Sequence, residues 1–404
     1  MKIVLATFGS RGDVQPMLAL TLALQQAGHT ALLAGPPEKA GWAAGLGCPY
    51  FPLGKDLTRF VEGMDKSYSL RSALSFMRHV RQETISQFDI FEKLLPGADL
   101  VVGSSLVFSL ATVSEYLQLP YRFIAFTPQM LPSRFHPYPA FRHQWPPGRM
   151  NLLTWKIGQI LGRLDTTRLL NQKRKQYGLS SITDSLSHIL GPYLLVASDP
   201  EVAPVPPDVT IPYAQTGYLH LDQPAQELPA LNAFLEKGPK PVYVGFGSMP
   251  KGDQIKALPI VVAAAKALGL RLIVAKFWND PIPLSPSDHL FIINQYPHLL
   301  LFPLMAAVIH HGGAGTTATS ARSGVPQIIV PHVLDQYYWG NKVFQAHLGP
   351  KPIFRSRIST AKFIRALKTC LSSSQIHQSV RTAAEQICRK DSLQMTVREL
   401  LNSI

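Results

Sequence analysis

Short apolar runs alternate with longer stretches of helical periodicity along the whole chain. In the first half the predicted strands are KIVLATF, TALLA, DLVVG and YRFIAF, and two of the helices between them are LALTLALQQAG and LATVSEYLQ. Runs that are apolar at nearly every position are typical of strands buried on both faces of a parallel sheet. The first half of the chain is therefore predicted to fold as βαβα.

A second series of the same kind begins at PVYVGFGSM and continues through RLIVA, HLFII, AAVIH and QIIV. Between the two series, prolines and polar residues predict a linker with a short helix. We expect two doubly wound, Rossmann-like α/β domains that face each other across a cleft, with ligands at the C-terminal ends of the strands. The expected boundaries are 1–217 for the first domain, 218–238 for the linker, 239–385 for the second domain, and 386–404 for a C-terminal helix that is a candidate to return to the first domain.

Length and composition agree with two globular domains. The chain has 404 residues, of which 46% are hydrophobic and 16% charged, and its 3 cysteines are too few and too scattered for a disulfide framework or a zinc site. Gly9, Arg11 and Asp13 interrupt the start of the chain before a hydrophobic run of signal-peptide length accumulates, and no later run approaches the ~18 apolar residues of a membrane span. We expect a protein of the reducing cytoplasm.

Two glycine-rich turns follow predicted strands. HHGGAGTT, starting at His310, places glycines and threonines at the start of a helix, where backbone N–H groups and the helix dipole favour an anion such as a phosphate. In the other turn, GSRGD, the glycines give only G-x-x-G. The second strand, TALLA, is followed by Gly-Pro-Pro instead of an acidic residue, so a nicotinamide cofactor is disfavoured.

Three segments carry a family resemblance: GSRGDVQP, PVYVGFGSM, and HHGGAGTT followed by GVPQIIVP and DQYYWGNKV. In order and spacing they resemble the family 1 inverting glycosyltransferases of the GT-B fold, in the branch of the sterol glucosyltransferases and of the enzymes that glycosylate glycopeptide antibiotics. The resemblance implies that the first domain binds the acceptor and the second a nucleotide sugar. It implies UDP-glucose as the donor substrate and a lipophilic acceptor such as a sterol or another polycyclic lipid.

Displacing a nucleoside diphosphate from a sugar builds negative charge on the leaving group, so the site needs a positive field at the glycine turn. His311, the N–H groups near Gly313 and Gly315, and the hydroxyl of Thr316 suit that task. A D-x-D pair of the kind that carries a divalent metal in other sugar-transfer folds is missing from the sequence. We expect neither a metal nor a cofactor.

By resemblance, further residues bind the donor. Asp335 and Gln336 match the pair that binds the transferred sugar, although Asp335 could also cap the following helix. Ser10 and Arg11 match residues near the diphosphate, although Arg11 could equally be a solvated loop charge. Ser248 follows the first strand of the second domain, in a turn that faces the same cleft. Candidates for contact with the nucleotide base are Tyr296 and His298. His310, which continues the apolar strand, is expected to be a buried, hydrogen-bonded histidine.

Asp13 is the candidate catalytic base. An acceptor hydroxyl must lose its proton as it attacks the anomeric carbon, and a carboxylate at a loop tip facing the cleft can take that proton. The competing interpretation is an N-cap for a helix starting at Val14 with Pro16 in its first turn. A helix dipole would then lower the pKa of Asp13 and weaken it as a base.

Other functions stay open at this point. A sugar-nucleotide epimerase can share the fold and needs no acceptor, and a membrane-associated regulator would bind the donor without turnover. A carotenoid, a macrolide or another secondary metabolite could replace the sterol as acceptor. Nucleic-acid binding is not expected, because the sequence has no DNA- or RNA-reading motif.

The positive charge of the chain indicates an anionic partner. There are 39 Lys and Arg against 25 Asp and Glu, a net charge of +14. Residues 122–175 contain ten of these cations interleaved with aromatic residues, and Asp165 is the single acid. Such a stretch suits peripheral docking on an anionic membrane through residues near 134–175, but also a solvated helix face over core aromatics.

Overall fold

Two parallel β-sheets organise the protein. The computed structural model describes residues 1–56, 70–144, 147–224, 228–247, 251–276, 284–294 and 296–402. The first sheet has the strand order β3-β2-β1-β4-β5-β6-β7 and the second β10-β9-β8-β11-β12. The strands of the first sheet are β1 (Lys2–Phe8), β2 (Thr30–Gly35), β3 (Tyr50–Pro52), β4 (Leu100–Ser105), β5 (Tyr121–Ala125), β6 (Leu194–Val196) and β7 (Tyr213–Gln215). Those of the second are β8 (Val242–Gly245), β9 (Leu272–Ala275), β10 (Leu290–Ile293), β11 (Ala307–His310) and β12 (Gln327–Ile329).

Helices cover both sheets. Those of the first half are α1 (Arg11–Gln26), α2 (Ala40–Gly45), α3 (Leu70–Leu94), α4 (Leu110–Tyr116), α5 (Gly148–Gly162), α6 (Arg168–Gln176) and α7 (Ser185–Leu190). Those of the second half are α8 (Pro229–Glu236), α9 (Lys251–Ala267), α10 (His298–Leu301), α11 (Ala314–Arg322), α12 (Gln336–Gln345), α13 (Thr360–Ser372), α14 (Ser374–Cys388) and α15 (Ser392–Asn402). Every strand pair within the two sheets is parallel. The predicted pair of doubly wound α/β domains is confirmed.

Each sheet of the described chain has a hydrophobic core on either face. One face of the first sheet packs Phe8 and Phe123 against Phe88 and Phe91, and the other packs Leu5 against α1. In the second sheet, alternate residues of β8 point to opposite cores, with Val244 on one side and Tyr243 on the other. This alternation is what a strand buried on both faces requires.

The C-terminal helix α15 packs on α1. Its Val397 and Leu400 are buried in the same core as Leu5, and the side chain of Glu399 accepts a 2.8 Å hydrogen bond from Tyr193. The hydroxyls of Thr396 and Thr216 are 2.7 Å apart, within hydrogen-bond distance. Helix α15 therefore packs on the first domain although it follows the second in the chain, while the domain boundaries stay predictions.

The basic stretch 122–175 separates into buried and exposed parts. Phe123, Phe126 and Trp155 are buried, as the alternative of core aromatics predicts, so Trp155 is not among the membrane-facing residues near 134–175; Phe135 and Phe141 are exposed. The remaining two aromatics are Tyr138, which is half-buried, and Trp145, which lies outside the described residues. No helix of the described chain is both long and apolar enough to cross a bilayer.

Candidate active site

The strand order defines where a ligand can bind. In each sheet the chain runs outward from a central pair of strands, β1 and β4 in the first sheet and β8 and β11 in the second. At such a reversal the connecting helices leave on opposite sides and open a crevice at the C-terminal ends of the strands. The glycine turns of the sequence follow β1 and β11. Both predicted binding turns thus lie at a crevice.

Asp13 is fixed by hydrogen bonds from two strand ends. Its Oδ2 accepts from the backbone N–H of Ser10 at 2.7 Å and from the hydroxyl of Ser10 at 3.0 Å. Its Oδ1 accepts from the hydroxyl of Ser105, at the end of β4, at 2.6 Å. Burial raises the pKa of Asp13, and the bonds from Ser105 and Ser10 oppose the rise. A carboxylate with a raised pKa and a fixed orientation has the properties of a general base.

The position of Asp13 in α1 differs from the prediction. The helix begins at Arg11, not Val14, and its N-cap is Ser10, so Asp13 is the third helical residue and forms a capping box with Ser10. Ser10 starts the helix earlier because its hydroxyl accepts from the N–H of Gly12 at 3.3 Å. Pro16 consequently lies beyond the first turn. Capping and a role in proton transfer are both open to this carboxylate, because only part of its hydrogen-bonding capacity is used by the helix.

The turn before α11 presents backbone to the crevice. Gly312 has a φ of +92°, a conformation that favours glycine. Gly313 is the N-cap of α11 and makes no side-chain cap. A Cβ on Gly313 would come within 2.7 Å of Nε2 of His311. Glycine is required here because the imidazole lies directly on the backbone of the turn.

The side chains of this turn are in place for an anion. Burial, followed by the neighbouring rings of His310, His332 and His298, lowers the pKa of His311 well below its usual value. This shift favours the neutral form of His311, which offers a hydrogen bond and not the fixed charge expected from the sequence. Its Nδ1 is buried without a hydrogen-bond partner. Thr316 is half-buried in the first turn of α11.

His310 has a structural role. Its Nε2 is 3.0 Å from Oε1 of Gln327, and its Nδ1 accepts from the N–H of Gly312 at 3.1 Å. Burial lowers its pKa to about 4. As predicted, this is a buried, hydrogen-bonded histidine, and it holds the glycine turn in shape.

Asp335 and Gln336 lie at the start of α12 and differ in their surroundings. Asp335 occupies the N-cap position but makes no side-chain cap; its Oδ2 instead accepts from Nε1 of Trp339 at 3.1 Å. Burial, and then the charge of Asp13, raise the pKa of Asp335 to about 7. Oε1 of Gln336 accepts from the N–H groups of His332 and Val333 at 2.8 and 3.1 Å. The capping expected of Asp335 is thus not made, and its carboxylate is close enough to Asp13 for their charges to interact.

Arg11 and His298 approach each other from the two domains. The guanidinium of Arg11 lies over the ring of Trp42, 4.8 Å from its centroid, and its charge is among the causes that lower the pKa of His298, after burial, to about 3. His298 stacks on Phe302 with ring centroids 4.4 Å apart, and its Nε2 is 3.0 Å from the hydroxyl of Tyr243. Tyr296 packs beside this cluster. Ser248 lies outside the described residues.

The comparisons with known proteins agree with this geometry. Residues 286–398 match the C-terminal domain of the erythromycin biosynthesis protein CIII-like family. The vancomycin aglycone glucosyltransferase of Amycolatopsis orientalis is 32% identical over 413 residues, which cover 100% of this chain and 98% of that protein. A sterol 3-beta-glucosyltransferase of Arabidopsis thaliana is 29% identical over 425 residues, covering 98% of this chain and 67% of that protein.

The chain belongs to the family of glycosyltransferases that includes the vancomycin aglycone glucosyltransferase. Solved structures support the same fold: the calicheamicin glycosyltransferase CalG4 superposes with a TM-score of 0.75 at 17% identity, covering 99% of this chain and 97% of that one. The glycosyltransferase VinC, in complex with dTDP, gives a TM-score of 0.69 at 20% identity, covering 100% of this chain and 99% of that one. The two sheets are thus those of a GT-B glycosyltransferase.

Two residues that contact the candidate site were not singled out from the sequence, Ser105 and Tyr218. Ser105 has a φ of +56°, which is uncommon for a residue other than glycine and marks a constrained position. The hydroxyl of Tyr218 would come within 2.6 Å of a Cβ on Gly315, so the tyrosine fits against the first turn of α11. Because DLVVG was already predicted as a strand, Ser105, two residues beyond it, could have been placed beside Asp13 had the pairing of β1 with β4 been known.

Proposed function

We propose that this glycosyltransferase moves glucose from UDP-glucose to a hydroxyl of a sterol or a similar polycyclic lipid, without a metal and with inversion at the anomeric carbon. The observation that carries the proposal is the carboxylate of Asp13. Ser10 and Ser105 fix it by hydrogen bonds, and its charge helps to raise the pKa of Asp335. In this arrangement a base from the first domain faces a polar group of the second. An acceptor and a donor sugar can meet between them.

In the proposed reaction Asp13 takes the proton of the acceptor hydroxyl as its oxygen attacks the anomeric carbon. The bond from that carbon to the diphosphate breaks on the opposite face, and UDP leaves with the bonding electrons. The N–H groups at the start of α11, the imidazole of His311 and the hydroxyl of Thr316 stabilise the charge that develops on the diphosphate. These groups stand where other sugar-transfer enzymes use a metal ion, which supports metal independence.

The other donor contacts follow the same division of the molecule. Asp335 and Gln336 bind hydroxyls of the sugar, Ser10, Arg11 and Ser248 lie toward the diphosphate, and His298 lies toward the base. The partial burial of Arg11 and its approach to His298 support a role in closing the site over the donor. Glucose and a lipid acceptor are proposed because the relatives include an aglycone glucosyltransferase and sterol glucosyltransferases. Of the donor bases, thymine is the alternative to uracil, since VinC was solved with dTDP.

The proposal includes a cytoplasmic enzyme that is peripheral on a membrane, because a sterol-like acceptor resides in a bilayer. Carotenoids, macrolides and other secondary metabolites are the alternative acceptors. A donor-binding regulator would leave the fixed, raised-pKa carboxylate of Asp13 without a task. An epimerase would leave the first domain without a ligand.

Mass spectrometry of products tests the proposal. The protein is incubated with UDP-glucose, other sugar nucleotides and a panel of sterols, hopanoids, carotenoids, macrolides and phenolics. One hexosylated sterol that forms only with active protein is the expected result. Consumption of the donor without any acceptor would favour the epimerase, and donor binding without any product would favour the regulator.

A further inference from the structure

Helix α5 exposes an unusual amount of apolar surface. Seven large apolar side chains on α5 and the helical turn that follows it are exposed: Met150, Leu152, Leu153, Ile157, Ile160, Leu161 and Leu164. Leu161 is 59% exposed and Leu164 70%. Single exposed apolar residues are common on protein surfaces, but a contiguous group marks a contact surface.

The residues of α5 divide into a buried inner face and an exposed outer face. Asn151, Trp155 and Gly158 are buried and face the protein, and a Cβ on Gly158 would collide with the ring of Tyr138. The inner face is therefore closely packed and cannot rotate outward. On the outer face Met150, Leu153, Ile157, Ile160 and Leu164 follow spacings of three and four, which place them on one stripe of a helix.

A row of cations borders this apolar stripe. Arg149, Lys156 and Arg163 are exposed and spaced seven residues apart, about two helical turns, so they line one edge of the stripe. Residues 148–162 contain no Asp or Glu. An apolar stripe edged by long cationic side chains is the arrangement of helices that lie in a membrane interface.

An open groove of about 480 Å³ continues the cationic row. It is lined by Arg163, Leu164, Thr167, Arg168, Asn171, Gln172 and Lys175. Three of these side chains are cations, and the amide of Gln172 adds hydrogen-bonding groups. The amide of Asn171 is paired with the backbone of Ile182, and the hydroxyl of Thr167 accepts from the N–H of Ser185. The three cations of the groove are groups that can bind a phosphate.

We propose that α5 docks this protein on an anionic membrane, with its apolar stripe among the acyl chains and the groove of Arg163, Arg168 and Lys175 on lipid phosphates. The proposal rests on the proposed function, which requires an acceptor drawn from a bilayer. A second copy of the chain is the competing occupant. Pairing two such helices would bring rows of cations together with no acidic residue on α5 to balance them, which disfavours a dimer.

The docking surface is connected to the cleft. The ring of His136 lies between Trp155 of α5 and Tyr338 of α12, with centroid distances of 6.0 and 5.3 Å. Both nitrogens of His136 are buried without hydrogen-bond partners. One layer of side chains thus separates the membrane-facing helix from the second domain, and a lipid acceptor would enter the cleft along α5.

Vesicle flotation tests this surface with the full chain. The vesicles are phosphatidylcholine alone or phosphatidylcholine with phosphatidylglycerol, each at low and high salt. The wild type is expected to bind the anionic vesicles at low salt and to be released by salt. R149E/K156E/R163E should weaken that binding by at least about a hundredfold, since the loss of each cation near an anionic surface costs about fivefold and the new carboxylates add repulsion. L153E/I160E should weaken it as well.

Matched controls come from the second domain. R365E/K368E reverses two exposed cations of α13, and L304E places the same charge on a leucine that is 43% exposed. Both controls should bind vesicles like the wild type, and thermal unfolding should show that all the variants are folded. Because every substituted side chain is exposed, each variant is expected to keep transfer to an acceptor dispersed in detergent.

The outcomes separate the docking surface from the reaction. Negligible binding of the wild type to both kinds of vesicle, or equal binding by the α5 variants and their controls, overturns the proposal. A dimer of the wild type in light scattering that L153E/I160E dissociates, without vesicle binding, assigns the surface to a second copy and also overturns it. Vesicle binding with no sugar transfer to any acceptor would leave docking intact and sink the proposed function instead.

Discussion

The hydroxyl of Ser105 donates a 2.6 Å hydrogen bond to Oδ1 of Asp13, joining two residues 92 positions apart in the chain. Ser105 pairs with Phe8 across β1 and β4, so the strand pairing itself brings the serine to the start of α1. Its φ of +56° is a conformation that costs free energy in a residue other than glycine. This strained backbone conformation occurs where the hydroxyl of Ser105 orients the carboxylate of Asp13.

Ser105→Ala should lower the rate of transfer about 10-fold to 100-fold, because a misoriented base loses part of the usual 10²–10⁴ benefit. The hydrogen bond from Ser105 lowers the pKa of Asp13, so its loss should also move the acid limb of the pH–rate profile to higher pH. The neighbouring Ser104→Ala is the control, since the Ser104 hydroxyl is buried without a partner. Equal profiles for the two variants would remove Ser105 from the site.

Asp13→Asn should reduce transfer by about 10²–10⁴ while the affinity for the nucleotide sugar changes only a few-fold. The reason is that the base acts on the acceptor in the transition state and leaves the donor untouched. Asparagine can still accept the capping hydrogen bond, so the unfolding temperature should change little. Donor affinity is measured by calorimetry and transfer by product formation. A near-wild-type rate would assign Asp13 to capping alone.

His311→Ala should weaken the binding of UDP and should flatten its pH dependence. Burial favours the neutral form of His311, and the negative charge of a bound diphosphate raises the pKa of the ring, so binding takes up a proton. The affinity of the wild type should therefore fall as the pH is raised through the pKa that the ring has in the complex, beyond the change that the ionisation of UDP itself produces. Calorimetry with exposed His289→Ala as the control measures the difference. A chelator should leave wild-type turnover unchanged.

Asp335→Asn should stabilise the protein at high pH although it impairs transfer. The pKa of Asp335 is raised to about 7, so the protonated form is favoured on folding, and stability is lost as the pH rises from about 4 towards 7. The variant avoids this loss. It should unfold a few degrees above the wild type near pH 8, and the difference should shrink as the pH approaches about 4. The unfolding temperatures are measured by differential scanning calorimetry. A difference between variant and wild type that does not change with pH would contradict the raised pKa of Asp335.

Local patterns were sufficient to predict the fold, whereas the roles of the predicted site residues stay predictions. The apolar runs predicted the two sheets, and His310 was correctly predicted to be buried because it continues such a run. The start of α1 was misplaced because Ser10 and Asp13 cap it together. Ser105 was missed because strand order depends on packing over long distances. The burial of Phe123 and Trp155 could not be separated from membrane contact, since aromatic residues suit both.

The chain passes between the two domains twice, and the crossings lie side by side. Thr216 on the outward crossing is 2.7 Å from Thr396 on the return, and a Cβ on Gly217 would collide with the hydroxyl of Ser392. Two adjacent covalent connections permit rotation about the line that passes through them but resist separation. The cleft should therefore open and close by rotation of one domain about that line as substrates enter and products leave. A bulkier residue at position 217 should change the rate of this rotation without contacting either ligand.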